Sequence, residues 1–582
     1  MLNAKQKLMN LRKLFLKYKI DCYFVPHTDE FQNEFLPKYS RRLEWLSNFT
    51  GSAGDIIVTK NKAYLFVDGR YTIQAENEVD KNYFSILNYK DTSPSRILNL
   101  LKKKNLKVGF DSNILTIGKL EFLKKQSKNK VKFVEIKNNL VDELWPNKPR
   151  KPQSKPFYHL LKYSGEKSEK KIKRLINFMN KNKVDRYILT SSESICWLFN
   201  VRAEDIEYSP LLLSKAIIES SGRSIIFSDC RKSLNLGKNI QSKELKEIKR
   251  YIIDKKNSNL RYMVCANSIS VELCKLVNKS NKIIFNNNII EHLKAQKNKI
   301  EIKGMKNAHI RDGAALTKFI FWVKNTVPRR KLTELDAINY LDNLRRKNKN
   351  FFSLSFATIA GSGPNGAIVH YHATKKSNRK IKESDLFLVD SGAQYFDGTT
   401  DITRTIAFNS VSKDQKSMYT RVLKGHIAVA KSKLNSREKG RNLDKLARKY
   451  LKQVNKNFDH GTGHGVGSFL NVHEGPQLIS PNGNVSFKNG MIVSNEPGYY
   501  KKNKYGIRIE NLILAKVVKD NLRFETITLA PLEKKLIDND ILTKEETKWI
   551  DSYHSKVRKY LLPFMDIKQS EWLKEETKQI IP

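Results

Sequence analysis

Between Trp145 and Phe157 the chain reads Trp-Pro-Asn-Lys-Pro-Arg-Lys-Pro-Gln-Ser-Lys-Pro-Phe, four prolines within thirteen residues. Each proline fixes φ and removes a backbone donor, so neither a helix nor an interior strand tolerates that density. A linker is predicted here, and the stretches on either side must fold separately. Those stretches resemble each other. Residues 11–49 laid over 174–200 align Lys17-Tyr-Lys-Ile-Asp21 with Lys181-Asn-Lys-Val-Asp185. An apolar run follows in each, Tyr23-Phe24-Val25 and Tyr187-Ile188-Leu189, and then a Trp-Leu pair, Trp45-Leu46 and Trp197-Leu198. An amphipathic helix running into a β-rich strand, twice over, is the pattern of a duplicated α/β domain. The first helix would bury Leu8, Leu11 and Phe15.

At 582 residues the chain exceeds what a single core can organise. A second boundary is predicted near residue 297, where an Asn-rich stretch gives way to Met305, Ile310, Ala314 and Phe319 at helical intervals. Thr333 and Asp336 then form a capping box for the next helix. The expected fold class is α/β (α+β), with two related α/β domains over 1–145 and 157–296 and a chemically richer domain over 297–582.

The net charge of +49, from 108 Lys plus Arg against 59 Asp plus Glu, would ordinarily point to a polyanionic partner. Here the lysines are dispersed among Asn and Ile along the whole chain, with no aromatic-interleaved basic stripe, so no specific nucleic acid is expected. The five cysteines, Cys22, Cys196, Cys230, Cys265 and Cys274, form no paired spacing and support neither a disulfide framework nor a sulfur metal site. The N-terminus lacks the uninterrupted apolar region of a secretory signal; a mitochondrial presequence is the weaker alternative. No apolar run is long enough to span a bilayer, so no membrane partner is expected.

The chemistry gathers late in the chain. Strands are predicted around 385–391 and 399–405, turning at Asp397-Gly398, with Asp390 in a row with Leu386 and Leu388 and Asp401 in a row with Thr399 and Thr403. His464 lies in His460-Gly-Thr-Gly-His-Gly-Val-Gly467, a loop whose glycines permit close backbone approach but which lacks the Lys-Ser or Lys-Thr of a phosphate loop. Glu496 ends a strand at a Pro-Gly turn. Glu510 shares a predicted strand face with Arg508 and Leu512 over 506–514. Taken singly, each of these is more often an ordinary surface or structural residue. Together, four carboxylates and one imidazole suit a borderline-to-hard divalent ion such as Mn²⁺. About four negative charges exceed what one dication neutralises, which favours a pair of ions.

These motifs closely resemble the aminopeptidase P (Xaa-Pro aminopeptidase) branch of the pita-bread metallopeptidases, in its long three-domain cytosolic form. The matching stretches are Gly363–Tyr371, Asp390–Thr405, His460–Pro476, Asn495–Tyr500 and Gly506–Asn511, with further likeness at Gly51–Gly54, Asp68–Tyr71 and around His554. The resemblance implies two creatinase-like N-terminal domains, a C-terminal pita-bread domain and two divalent cations per subunit, Mn²⁺ by preference. It places the metal ligands at Asp390, Asp401, His464, Glu496 and Glu510. Glu496 would serve as proton shuttle, and His370 and His473 would contact substrate and the tetrahedral intermediate. Arg70 and His460 are further candidates to line the site, and Arg508 to contact substrate or to support Glu510 from the face they share. The implied activity is removal of the first residue from peptides with proline second, by a cytoplasmic homodimer. A prolidase-type dipeptidase and a non-catalytic binding protein share the fold; the duplicated N-terminal half argues against the first, the intact ligands against the second. His372 after Tyr371, and a short stretch between Pro476 and Gly490, depart from the family pattern and bear on fine specificity.

Overall fold

The computed structural model describes residues 2–101, 105–128, 130–229, 236, 239–287, 289–409 and 411–580. The chain divides into two compact units, Met1–His159 with Glu166–Ile290, and Leu160–Gly165 with Glu291–Pro582. The linker has no regular structure from Lys148 to Pro156. Cys22, Cys196, Cys265 and Cys274 are free thiols, while Cys230 lies outside the described residues. Among the described residues no helix is long and apolar enough to cross a membrane.

The N-terminal unit holds two six-stranded sheets of one design. In spatial order the strands of the first begin at Phe84, Ala63, Asp55, Cys22, Leu106 and Val131, and those of the second at Ile240, Ser224, Ser214, Arg186, Arg261 and Lys282. In that order the second and third pairings are antiparallel and the other three parallel in both sheets. The duplication extends to single hydrogen bonds. Asp21 takes the backbone N–H of Lys107 at 3.0 Å, and its counterpart Asp185 takes that of Arg261 at 2.7 Å. Lys7 donates to the carbonyl of Trp45 and to Asn48; Lys171 donates to the carbonyl of Trp197 and to Asn200. Each ammonium also lies over the Trp ring, and each Asn adopts the left-handed conformation that ends its helix. The first helix, Ala4–Lys17, buries Leu8, Leu11 and Phe15 as its spacing predicts. The copies pack together within this unit because Gly118 and Ile117 of the first donate to Ala266 and Ile269 of the second.

The C-terminal unit opens with Lys299–Thr326, a 28-residue helix capped by Asn298 and Glu301. Asn298 also binds the carbonyl of Ser164, which ties 160–165 to this unit. The Thr333–Asp336 capping box starts Glu334–Arg346. Two antiparallel sheets carry the chemistry. One contains Ile359–Ser362, Phe387–Ser391 and Ile402–Ile406. The other has six strands, including Asn511–Val518, Ile492–Asn495, Gly463–Gly465 and Glu474–Ile479 in adjacent positions. A hairpin of Gly498–Lys501 and Tyr505–Arg508 stands beside them in the chain.

Two predicted strands are interrupted. Gly398–Thr399 pairs with Ala393–Tyr395, whereas Ile402–Ile406 pairs with Phe387–Ser391, so the chain changes sheets at Thr400–Asp401. Asp401 is therefore off the Thr399/Thr403 row. The predicted strand over 506–514 likewise breaks at Ile509–Glu510, where the chain passes from the hairpin into the six-stranded sheet. Simple alternation cannot register such breaks, because both faces stay buried: Ile507, Arg508, Ile509 and Glu510 are each at most 1% exposed.

Candidate metal centre

Three of the acids stand where the chain leaves one sheet for another: Asp401, Glu510, and Glu496 between Ile492–Asn495 and Gly498–Lys501. At such points the ladder is interrupted and side chains can turn inward. Asp390 instead lies within its strand, opposite Ile359 and Thr403.

His464 holds the middle. Its backbone N–H donates to Ser494 Oγ at 2.9 Å, an approach that needs Gly463 beside it, since a Cβ there would lie 1.9 Å from the Ser494 carbonyl oxygen. Its Nδ1 lies 3.0 Å from the Gly465 carbonyl oxygen. A carbonyl only accepts, so Nδ1 carries the proton and Nε2 presents a lone pair. That atom faces Glu496 Oε1 at 3.4 Å and Asp401 Oδ2 at 3.5 Å. Ligand atoms of Asp401, His464 and Glu510 all lie within 4.8 Å of one another. Glu510 Oε2 accepts from Thr403 at 2.8 Å, and Glu496 Oε1 from Ser494 at 3.0 Å.

Arg508 braces the acids from behind. Its guanidinium donates to Asp390 Oδ2 at 2.7 Å, Thr403 at 3.2 Å, Tyr500 at 2.6 Å and the carbonyl of Val369 at 3.2 Å. Tyr500 in turn lies 2.9 Å from His460 Nε2, whose Nδ1 sits on the Gly461 carbonyl. The bond to Val369 brings the His370 loop to the acids, and Gly506 permits it: a Cβ there would be 1.7 Å from the Gly366 oxygen. His473 packs edge-on against His464 with ring centroids 4.3 Å apart.

The electrostatics show a site short of positive charge. Burial, then the charges of Asp390 and Glu496, push Asp401 well above the usual carboxylate range. Burial, then Asp401, Glu496 and Asp390, do the same to Glu510. Burial also raises Glu496, with His464 and Arg508 opposing. Asp390 Oδ1 and Glu510 Oε1 are buried and receive no hydrogen bond. Unsatisfied carboxylate oxygens converging beside an imidazole lone pair fit divalent cations.

The structure thus brings together Asp390, Asp401, His464, Glu496 and Glu510, with Arg508, His473, His460 and the His370 loop around them. Arg70 belongs to the N-terminal unit, where Asp68 holds its guanidinium at 2.7 Å and 3.0 Å. Arg508 was expected to contact substrate, but it is 1% exposed and each of its three nitrogens is bonded within the protein. Tyr500, Ser494 and Thr403 were not singled out from sequence. Tyr500 closes the Asn495–Tyr500 motif and Thr403 stands two residues from Asp401 in the threonine-rich run that drew notice to it, so a signal was present for both.

Residues 303–516 match the model of metallopeptidase family M24, and 520–580 match the C-terminal region of that peptidase. Residues 7–144 and 147–301 each match a creatinase/prolidase N-terminal domain. A probable Xaa-Pro aminopeptidase P from Laccaria bicolor is 36% identical over 600 residues, covering 99% of this chain and 93% of the relative. Xaa-Pro aminopeptidase 1 of Dictyostelium discoideum is 35% identical over 609 residues, covering 99% and 96%. The X-prolyl aminopeptidase of Caenorhabditis elegans, described as a cytosolic enzyme with a di-nuclear active site, superposes with a TM-score of 0.95 at 31% identity, covering 100% of both chains. A Thermococcus sibiricus prolidase shares the fold over 63% of this chain and 98% of its own, with a TM-score of 0.52 at 23% identity. With two creatinase-type domains ahead of a peptidase domain, and full-length likeness to these aminopeptidases, the chain belongs to metallopeptidase family M24, in its long aminopeptidase P branch.

Proposed function

We propose that the chain is a metal-dependent Xaa-Pro aminopeptidase, hydrolysing the bond between the first residue of a peptide and a proline in second position. The observation that carries this is the crowding of buried acids around His464, two of whose oxygens lack any donor, in a chain that matches Xaa-Pro aminopeptidases from end to end. Asp390, Asp401, His464, Glu496 and Glu510 would hold two divalent cations, with manganese favoured by an oxygen-rich donor set. When bound, the cations supply Lewis acidity and acidify water at neutral pH.

The chain's own groups account for the rest. Ser494 donates to Glu496 Oε1, leaving Oε2 to take up a proton and pass it to the prolyl nitrogen. That delivery is essential, because the tertiary amide has no N–H of its own and leaves only when its nitrogen is protonated. His370 and His473 hold the scissile carbonyl and the charge that develops on it. Arg508 acts through Asp390 and Tyr500 as a positioning residue, and Tyr500 carries that bracing on to His460. We assign three domains, 1–145, 157–296 and 297–582, and a cytoplasmic homodimer; the description of the C. elegans relative as cytosolic supports the location.

The test is turnover by the manganese-loaded protein of Arg-Pro-Pro beside Arg-Pro. Release of arginine from the tripeptide is expected. Cleavage of the dipeptide alone would make the chain a prolidase, and no cleavage together with no bound cation would overturn the reading.

A further inference from the structure

The antiparallel ladder between Ile492–Asn495 and Asn511–Val518 ends on the pair Asn495–Asn511. The two glutamates lie just beyond that last rung, Glu496 following one asparagine and Glu510 preceding the other. Backbone pairing resumes only on their far side, where the Ile509 N–H donates to the Pro497 carbonyl at 3.3 Å and Gly498 stands opposite Arg508, so the two glutamates occupy a gap between two ladders. The separation of the two carboxylates therefore depends on what braces the rungs that border the gap.

One side chain from a different element bonds both ends of that rung. His426, on the helix Lys413–Ala430, is fully buried, with Nδ1 3.0 Å from the Asn495 carbonyl oxygen and Nε2 3.1 Å from Asn511 Nδ2. The proton positions follow from the partners. Asn511 Oδ1 accepts from Arg404 at 2.8 Å, and Arg has no acceptor, so the Asn511 amide orientation is fixed and its Nδ2 donates to His426 Nε2. Nδ1 therefore carries the hydrogen and donates to Asn495. Asn495 Nδ2 returns a bond to the His426 carbonyl at 2.9 Å. Arg404 completes the brace by donating to the Glu510 carbonyl at 2.7 Å. Burial and then Arg404 hold the His426 pKa down to about 3, so the ring remains neutral and can accept from Asn511.

We propose that His426 is a positioning residue for the dinuclear centre: by joining Asn495 to Asn511 it fixes the distance between Glu496 and Glu510 and thereby the affinity for the cation pair. This rests on the metal-dependent reading above. It concerns a residue that touches none of the five candidate ligands.

Two variants separate the bonds, because amides of different reach replace one ring nitrogen each. His426→Asn can still donate toward Asn495 but falls short of Asn511; His426→Gln can still accept from Asn511 but loses the bond to Asn495. Metal-free wild type and both variants are titrated with Mn²⁺ in equilibrium dialysis, with bound metal counted, thermal unfolding recorded without metal, and kcat and KM measured separately. Expected is a loss of roughly tenfold or more in affinity for at least one cation in each variant. The metal-free unfolding midpoints should stay within a few degrees of wild type, and the deficit should appear in kcat at limiting Mn²⁺ and be recovered at high Mn²⁺, with KM little changed. Wild-type cation affinity in either folded variant would overturn the proposal, as would losses that merely track the unfolding midpoint or a failure of both variants to fold. If wild type itself takes up no cation, the metal-dependent reading fails first, which keeps the two failures distinct.

Discussion

In the N-terminal unit the charged groups that recur in both copies end on backbone or on an amide: Lys7 and Lys171 on carbonyls and asparagines, Asp21 and Asp185 on peptide N–H groups. In the C-terminal unit the buried acids of the centre end on one another, with Arg508 and one imidazole too little to balance them. The first arrangement is complete in itself and recurs in both copies because it holds helix to strand. The second is incomplete and costly unless something cationic joins it. Completed bonds mark a charge that serves the fold, and a shortage of partners marks one that serves chemistry.

The largest effect should come from the incomplete set. Asp401→Ala or His464→Ala is expected to lower kcat/KM on a Xaa-Pro-Yaa tripeptide on the order of a thousandfold, several kcal/mol of lost transition-state stabilisation, with the circular dichroism spectrum unchanged. Near-normal turnover in either variant would erase the distinction between the units. Next, Lys171→Met should cost about 3 kcal/mol in urea unfolding, since it strands a buried carbonyl and Asn200, while kcat per folded molecule holds. Lys7→Met should act in the same direction, and opposite responses would show that the copies have diverged in use.

Acidity should pull the units apart. In the C-terminal unit burial lowers His309 to about 4 and His426 and His554 to about 3. Depressed histidines contribute stability above about pH 6.5, which is lost as pH falls toward those values, by up to ~1.4 kcal/mol per pH unit for each. In the N-terminal unit burial raises Asp29 and Asp111 to about 6, so their contribution is full below about pH 4 and is lost as pH rises through 6. His27, lowered by burial, offsets part of that. Hydrogen exchange on the cation-saturated protein should therefore show the C-terminal unit weakening relative to the N-terminal one between pH 7.5 and 5, and parallel changes would contradict the assignment. The smallest effect on stability is expected at Arg70, whose pairing with Asp68 is partly exposed. Arg70→Ala should shift stability in urea unfolding by about 1 kcal/mol or less. A larger loss would mean that this exposed pair carries more of the fold than its neighbours do.

Much of this was legible in order along the chain. The repeat could be read because Asp21 and Asp185, and the Trp-Leu pairs, keep their places when the rest has drifted, and those residues make the shared bonds. The five candidate ligands stood out because short glycine- and proline-marked motifs hold each one. The sheet changes at Thr400–Asp401 and Ile509–Glu510 were not legible, since alternation runs on through a break when both faces are buried. His426 was invisible for another reason: its partners, Asn495 and Asn511, lie 69 and 85 residues away and carry no charge to draw notice.

Carboxyl groups displaced upward, as Asp401 and Glu510 are, hold hydrogen ions more tightly than ordinary carboxylates, so a proton and a cation compete for the same oxygens. Loading the empty protein with manganese should therefore acidify an unbuffered solution, and each step toward lower pH should weaken uptake, so the pocket behaves as a tiny ion exchanger.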